Sequence, residues 1–289
     1  MQQPIRNLPM IAAMGWRLSA FGDEVAAGPA EQATALRDLG IRHVEVRSAW
    51  SVNVVDLGSE RLDRLARELA AAGIGVSAIA SPVGKSELGA DFEAETARLE
   101  AALDAAERLG SQLVRVFSFY VHGRHDSTRD EVLRRLDRLT GRAEARGATL
   151  VHENESLIYG DTPERCLELV EAIGSPAFKI AFDPANFVQV GAAPFTRAWP
   201  LLARHVVHFH VKDAVAIPDE ATPEALMASV RPAGEGQGQL RELLGELETT
   251  RYSGFLTLEP HLQARLPDLD GAARLRVAAA ALQGLLVPS

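Results

Sequence analysis

Residues 148–182 read ATLVHENESLIYGDTPERCLELVEAIGSPAFKIAF and contain one complete unit of the fold. Its two ends, 148–153 (ATLVHE) and 177–182 (AFKIAF), are short apolar runs of strand length. Between them, Asp161-Thr162-Pro163-Glu164 sets a capping side chain before a proline at the first turn of a helix over 162–173. Strand, helix and strand in that order make a crossover between parallel strands.

The same alternation continues in both directions. Strands are expected at 16–20, 42–47, 74–81 and 112–118 upstream, and at 205–211 and 254–259 downstream. Helical patterns fall at 29–39, 59–72, 92–109, 128–146, 238–250 and 270–285, with a weaker one at 194–203. Gly40, Gly73, Gly110 and Gly147 each close a helical run just before a strand. Eight such units, with no linker or low-complexity tract, predict one α/β domain over residues 1–289. The expected architecture is a single-domain (β/α)8 TIM barrel, with the barrel proper at about 15–286. A doubly wound open sheet satisfies the bare pattern too.

The chain carries a net charge of −9, which argues against a nucleic-acid partner. A metal cation or a neutral polyol is an easier ligand for it than a polyanion. The single cysteine, Cys166, excludes an intrachain disulfide and a thiolate metal cluster, and it reads as a buried helix residue. The start, MQQPIRNLPMIAAMGW, lacks the pattern of a signal peptide, and no apolar run reaches membrane-spanning length. No membrane partner and a cytoplasmic location are therefore expected. Homo-oligomers are left open.

Four strands end in a hard-metal ligand: V-H-E-N-E, A-F-D-P-A-N-F, H-F-H-V-K-D and L-E-P-H. Alternate strand residues point to opposite faces. Parity therefore turns Glu153 inward and His152 outward, turns both His208 and His210 inward with His210 nearer the rim, and turns Thr257 and Glu259 inward. Such groups crowded into one mouth are costly without a compensating cation. Three carboxylates and an imidazole suit one divalent metal ion, Mn²⁺ foremost, with Mg²⁺, Co²⁺ or Zn²⁺ as alternatives.

Other polar residues near the strand ends have two readings each. Glu45 and Arg47 share parity and pair with each other across the mouth or contact substrate. Lys85, Arg115, Asn186, Lys212 and Arg231 are candidate substrate contacts; Lys212 and Asp213 read equally as a surface salt bridge. His208 and Glu155 are candidates for supporting the ligands. Trp50, Trp199 and Phe187 are sugar-stacking platforms or plain core. Residues 213–237 are too long for an ordinary loop and end in a glycine-rich stretch.

The order E-N, D-P-A-N, H-x-H-x-K-D, G-E-G and a terminal E-P resembles the sugar phosphate isomerase/epimerase superfamily, whose members include xylose isomerase-like TIM barrels. The resemblance runs from about Arg17 to the last helix. It implies that Glu153, Asp183, His210 and Glu259 are the metal ligands. It also implies that Glu153 and Glu259 are catalytic, exchanging a proton beside a substrate carbonyl through a metal-stabilised enediolate. Ketose epimerases of this type carry a glutamate where this chain has Tyr159, a histidine where it has Asn186, and an arginine where it has Ala216.

The expected function is thus a metal-dependent isomerase or epimerase of a small keto sugar or keto polyol. The alternative is a lyase or dehydratase that uses the same enolising site on 3-keto-glycosides. Lesser alternatives are an AP-endonuclease-like hydrolase and a non-catalytic sugar-binding barrel.

Overall fold

A computed structural model describes residues 15–217 and 222–286. The reading of the first fourteen residues, and the outer limits of the 1–289 domain, lie outside them. Eight parallel strands close into a barrel in chain order: β1 (Arg17–Phe21), β2 (His43–Val46), β3 (Gly75–Ala80), β4 (Leu113–Val116), β5 (Thr149–Glu153), β6 (Phe178–Phe182), β7 (Val206–Val211) and β8 (Phe255–Leu258). Each lies within two residues of its expected bounds, and β8 pairs with β1, which settles the closed barrel over the open sheet.

Helices α1 (Pro29–Asp38), α2 (Gly58–Ala71), α3 (Phe92–Leu109), α4 (His125–Ala145) and α5 (Pro163–Ile173) return the first five strands. After β6 come α6 (Pro184–Gln189) and α7 (Trp199–Leu202); after β7, α8 (Pro223–Ser229) and α9 (Leu240–Thr249); after β8, α10 (Gly271–Leu286). Thr162 caps α5 by accepting the Arg165 N–H, with Pro163 in the first turn, as the sequence indicates. Gly110 ends α3 in the left-handed region at φ +70°. Among the described residues, no helix is long and apolar enough to cross a membrane.

The main apolar core lies between strands and helices, where Leu36, Leu99, Leu150, Ile180, Phe209 and Leu256 are fully buried. The middle of the barrel is instead polar. Ser19 Oγ lies 2.7 Å from Ser77 Oγ, and His208 Nε2 lies 3.1 Å from Thr257 Oγ1. Hydrogen bonds there do the work that branched aliphatic layers do in most barrels of this type.

The described parts of the long segment after β7, residues 213–217 and 222–237, gather around one carboxylate. Asp213–Ala214 pairs antiparallel with Val230–Arg231. Asp213 is buried and accepts the N–H groups of Ala214, Gly234, Gly236 and Gly238. A Cβ on Gly236 would stand 2.2 Å from Asp213 Oδ1, so the glycines allow this close wrap. Asp213 is therefore a loop organiser and not half of a surface salt bridge.

His152 faces away from the barrel interior, as parity requires, and is fully buried with Nε2 3.0 Å from Ser118 Oγ. Burial pushes its pKa down to about 3, with Glu153 opposing weakly. A histidine depressed below its unfolded value of about 6.5 stabilises the fold above that pH, and the contribution is lost as pH falls toward the folded value. Wild type should lose about 2 kcal/mol more stability than His152→Gln between about pH 8 and pH 5, read by urea unfolding. Equal losses in the two proteins would refute the assignment.

Candidate active site

The ends of β5 and β6 are locked into one block by two asparagines. Asn154 Nδ2 donates to the Asp183 carbonyl at 2.9 Å, and its Oδ1 accepts the Asp183 N–H at 3.0 Å. Asn186 Nδ2 donates to the Asn154 carbonyl at 2.9 Å and to Glu153 Oε1 at 3.3 Å. Asp183 is also the N-cap of α6: its Oδ1 accepts the Asn186 N–H at 3.1 Å, which leaves Oδ2 for the centre. The E-N and D-P-A-N motifs are thus a positioning device for two carboxylates.

Around that block the four expected ligands converge. His210 Nδ1 lies 3.2 Å from Glu153 Oε1, 3.8 Å from Asp183 Oδ2 and 3.6 Å from Glu259 Oε2. Metal–ligand bonds of about 2.1 Å give neighbouring ligand atoms separations of about 3.0 Å in an octahedron and 3.4 Å in a tetrahedron. One Oε atom from each glutamate, one Oδ and one Nδ1 lie within 4.8 Å of one another. The donor set fits a divalent ion after a small contraction.

The cage already carries positive charge, contrary to the expectation that only an added cation could balance it. Arg115 Nη1 lies 3.1 Å from Glu153 Oε2. Lys212 Nζ lies 3.1 Å from Asp183 Oδ2 and 3.3 Å from Glu259 Oε2, and Arg47 Nη1 is 3.4 Å from Glu259 Oε1. Burial favours the neutral acid at Glu153, but Arg115 and His210 overcome it and hold the pKa at about 2. Burial dominates at Asp183, which stays above its ordinary range despite Lys212. Glu259 is held well below its ordinary range, its burial outweighed by Lys212, His261, His210 and Arg47. At His210, Glu45 and Glu153 outweigh burial and raise the pKa well above 6.5.

A cavity of about 240 Å³ opens over the cage. Glu153 and Glu259 form part of its wall, with Arg47, Lys85, Arg115, Lys212 and Glu155, whereas Asp183 and His210 do not reach it. Lys85 Nζ bonds Glu155 Oε2 at 3.0 Å. A larger cavity of about 670 Å³ lies at the opposite ends of the strands, around Arg17, His43 and Tyr252, and has no carboxylate in its wall.

Several sequence expectations are corrected. Glu45 and Arg47 do not pair: Arg47 bonds Asp23 at 2.8 Å, and Glu45 lies fully buried beside His208 and His210. Asn186 is buried among the ligands and does not line the cavity. Arg231 donates to the carbonyls of Ala228 and Val230, outside the cavity wall. Phe187 and Trp199 pack against Phe182 with ring centroids at 5.1 and 5.5 Å, and Trp50 lies under Arg64. They are core and surface packing, not a sugar platform. The aromatic in the cavity wall is Phe117, with Lys85 Nζ at 4.7 Å and Arg115 at 4.8 Å from its centroid. His261 was also missed. It follows Glu259 by two residues, beyond the end of β8, and lies 3.5 Å from Glu259 Oε1 and 3.1 Å from Glu24 Oε1.

The sequence profile of the xylose isomerase-like TIM barrels matches residues 33–282. The chain belongs to this family. A 2-epi-5-epi-valiolone 7-phosphate 2-epimerase from Actinoplanes sp. is 36% identical over 105 residues, covering 36% of this chain and 34% of that protein. The chain thus matches about a third of that relative's length. A probable 3-DHS dehydratase, AsbF of Bacillus anthracis, superposes with TM-score 0.75 at 17% identity, over 94% of this chain and all of that one. The IOLI protein, solved with a zinc atom, superposes with TM-score 0.74 at 15% identity, over 93% and 98% of the two chains. These likenesses in structure bear on the fold.

Glu45 and Glu153 favour the protonated form of His210, so a cation taken up at Nδ1 would have to compete with a proton there. Divalent-metal affinity should rise as pH increases from about 6 to 8, with proton release visible as buffer-dependent enthalpy in titration calorimetry. Affinity flat across that range would contradict the assignment of His210 as a ligand.

Proposed function

We propose that this family member is a metal-dependent isomerase or epimerase of a small keto sugar or keto polyol. The division of the cage carries the reading: of its four donors, only Glu153 and Glu259 border the cavity. They come from strands three places apart around the barrel, so they approach a bound molecule from different directions. Asp183 and His210, fully buried, have access only to the centre.

A divalent ion held by Glu153, Asp183, His210 and Glu259, manganese foremost with magnesium, cobalt or zinc as alternatives, would acidify the C–H beside a substrate carbonyl. Glu153 and Glu259 are both held below the ordinary carboxylate range, so each is ionised and able to accept a proton at neutral pH. The glutamate that removes the proton becomes the acid, and return to the same carbon or its neighbour separates epimerisation from isomerisation. Arg47, Lys85, Arg115 and Lys212 supply donors for substrate oxygens, and Glu155 restrains Lys85. Asn186 serves by orienting Glu153 and Lys212, and His208 by supporting the ligand histidine from below.

Elimination from a 3-keto-glycoside begins with the same proton loss, so one experiment separates the readings. The metal-loaded protein is incubated in deuterated water with a panel of keto sugars, keto polyols and 3-keto-glycosides, and followed by NMR. Deuterium entry beside the carbonyl with every substituent retained supports the proposal. Release of an aglycone or water replaces it with a lyase, and no exchange across the panel overturns it. Glu153→Gln and Glu259→Gln should each lower the exchange rate by about 100-fold or more.

A further inference from the structure

A second buried cluster lies directly beneath the cage, and the proton chemistry above leaves it unused. Glu45 on β2 is fully buried, and its Oε2 lies 2.6 Å from His208 Nε2 and 3.3 Å from His210 Nε2. The other ring nitrogen of His210, Nδ1, faces Glu153, Asp183 and Glu259. The imidazole therefore spans two carboxylate environments, a single one below and three above.

A carboxylate oxygen accepts hydrogen bonds, so His208 Nε2, at 2.6 Å, carries its proton toward Glu45 Oε2, whereas His210 Nε2 stands at an ion-pair distance of 3.3 Å from the same oxygen and has no hydrogen-bond partner. A proton held on Nε2 by the Glu45 charge 3.3 Å away would leave a neutral His210 with a lone pair at Nδ1, toward the cage. His208 in the same tautomer leaves Nδ1 as a bare acceptor, and that atom is buried without a partner. The opposite tautomer would bury an orphan N–H instead, the rarer arrangement in folded proteins. Phe21 closes another side of His210, its ring edge-on at 5.4 Å, which limits rotation of the imidazole.

We propose that Glu45 is a positioning residue: it fixes the ring orientation and tautomer of His210 so that Nδ1 is the atom offered to a divalent cation. The proposal rests on the metal-centre reading above and moves Glu45 from the substrate contacts to the support of a ligand. Carboxylates that hold the far nitrogen of a ligating histidine recur at metal sites and typically account for 10–100-fold in affinity.

The same residues admit a rival, in which Glu45, His208 and His210 hold a second ion. The 2.6 Å separation of Glu45 Oε2 and His208 Nε2 argues for a hydrogen bond. Ligands on one ion with bonds of about 2.1 Å stand about 3.0–3.4 Å apart.

The test is titration of the full-length, metal-free protein with Mn²⁺, free ion being read by electron paramagnetic resonance. One ion per chain is expected, with Glu45→Gln binding about 10–100-fold more weakly and Glu45→Asp less impaired. Histidine ¹⁵N NMR of the Zn²⁺-loaded wild type needs no variant to fold, and should show His210 protonated at Nε2. Two ions per chain, equal affinity of wild type and Glu45→Gln, or an unprotonated Nε2 would each overturn the role of Glu45. No binding of Mn²⁺ or Zn²⁺ by wild type would overturn the metal centre itself, a result distinguishable from those three.

Discussion

Three carboxylates held within a few ångströms of one another, and shielded from water, repel strongly unless positive charge is close by. The site depends on how this chain meets that constraint. Arg47, Arg115 and Lys212 each touch at least one of Glu153, Asp183 and Glu259, so the cage is near charge balance before any ion enters. A divalent cation would then leave a positive excess at the mouth. On the proposed reading, that excess would suit negative charge developing on a substrate oxygen, an arrangement that stabilises enolisation without reorganisation at the moment of reaction. The three native cations would then tune the site for a change of charge.

Supplying those cations requires strand parity to divide neighbouring residues between tasks. Lys212 turns into the cage while Asp213, its neighbour, turns to the glycine segment and binds four N–H groups. Had the two formed the salt bridge that their adjacency suggests, both the cage and the long loop would have lost their organising group. The polar middle of the barrel has the same origin. Glu45, His208 and Thr257 occupy interior positions that branched aliphatic residues fill in most such barrels. Their value lies in directed hydrogen bonds to the floor of the site.

The fold was legible because it is written in local periodicity. Strand ends such as 148–153 and 205–211, the Thr162-Pro163 helix start and the terminal glycines can all be read without tertiary information. The cage was legible in part for a related reason: parity fixes the inward face and separates Glu153 from His152, but it turns both His208 and His210 inward, and the family resemblance chose between them. Partner choice was not legible. Nothing local says that Arg47 turns to Asp23 and Glu259 rather than to Glu45, because those partners come from the segments just after β1 and β8. Arg231 looked like a cavity residue through its place in a long loop, but the loop folds back on itself and the guanidinium caps nearby carbonyls. His261 carried little signal beyond its nearness in sequence to Glu259, because it lies past Pro260 with a left-handed backbone at φ +43°, where strand alternation no longer applies.

The three departures from the ketose-epimerase pattern acquire a common physical sense. Asn186 donates to Glu153 and to the Asn154 carbonyl while accepting from Lys212, a set that a neutral imidazole with one donor and one acceptor cannot reproduce. Tyr159 donates its hydroxyl to Glu168 on α5, in the helical layer and away from the cavity. Ala216 offers no side-chain donor, and its N–H is taken by Gln237. All three positions follow β5, β6 or β7, so the epimerase-type contacts are missing from one side of the mouth. Arg47, Lys85 and Arg115 belong to β2, β3 and β4 or the segments just after them, on the other side. Under the proposed reading these three donors, facing Lys212 after β7, would draw the oxygen-rich side of a ligand toward β2–β4. On the proposed chemistry the departures therefore bear on substrate orientation, because Glu153, Asp183, His210 and Glu259 still converge without them.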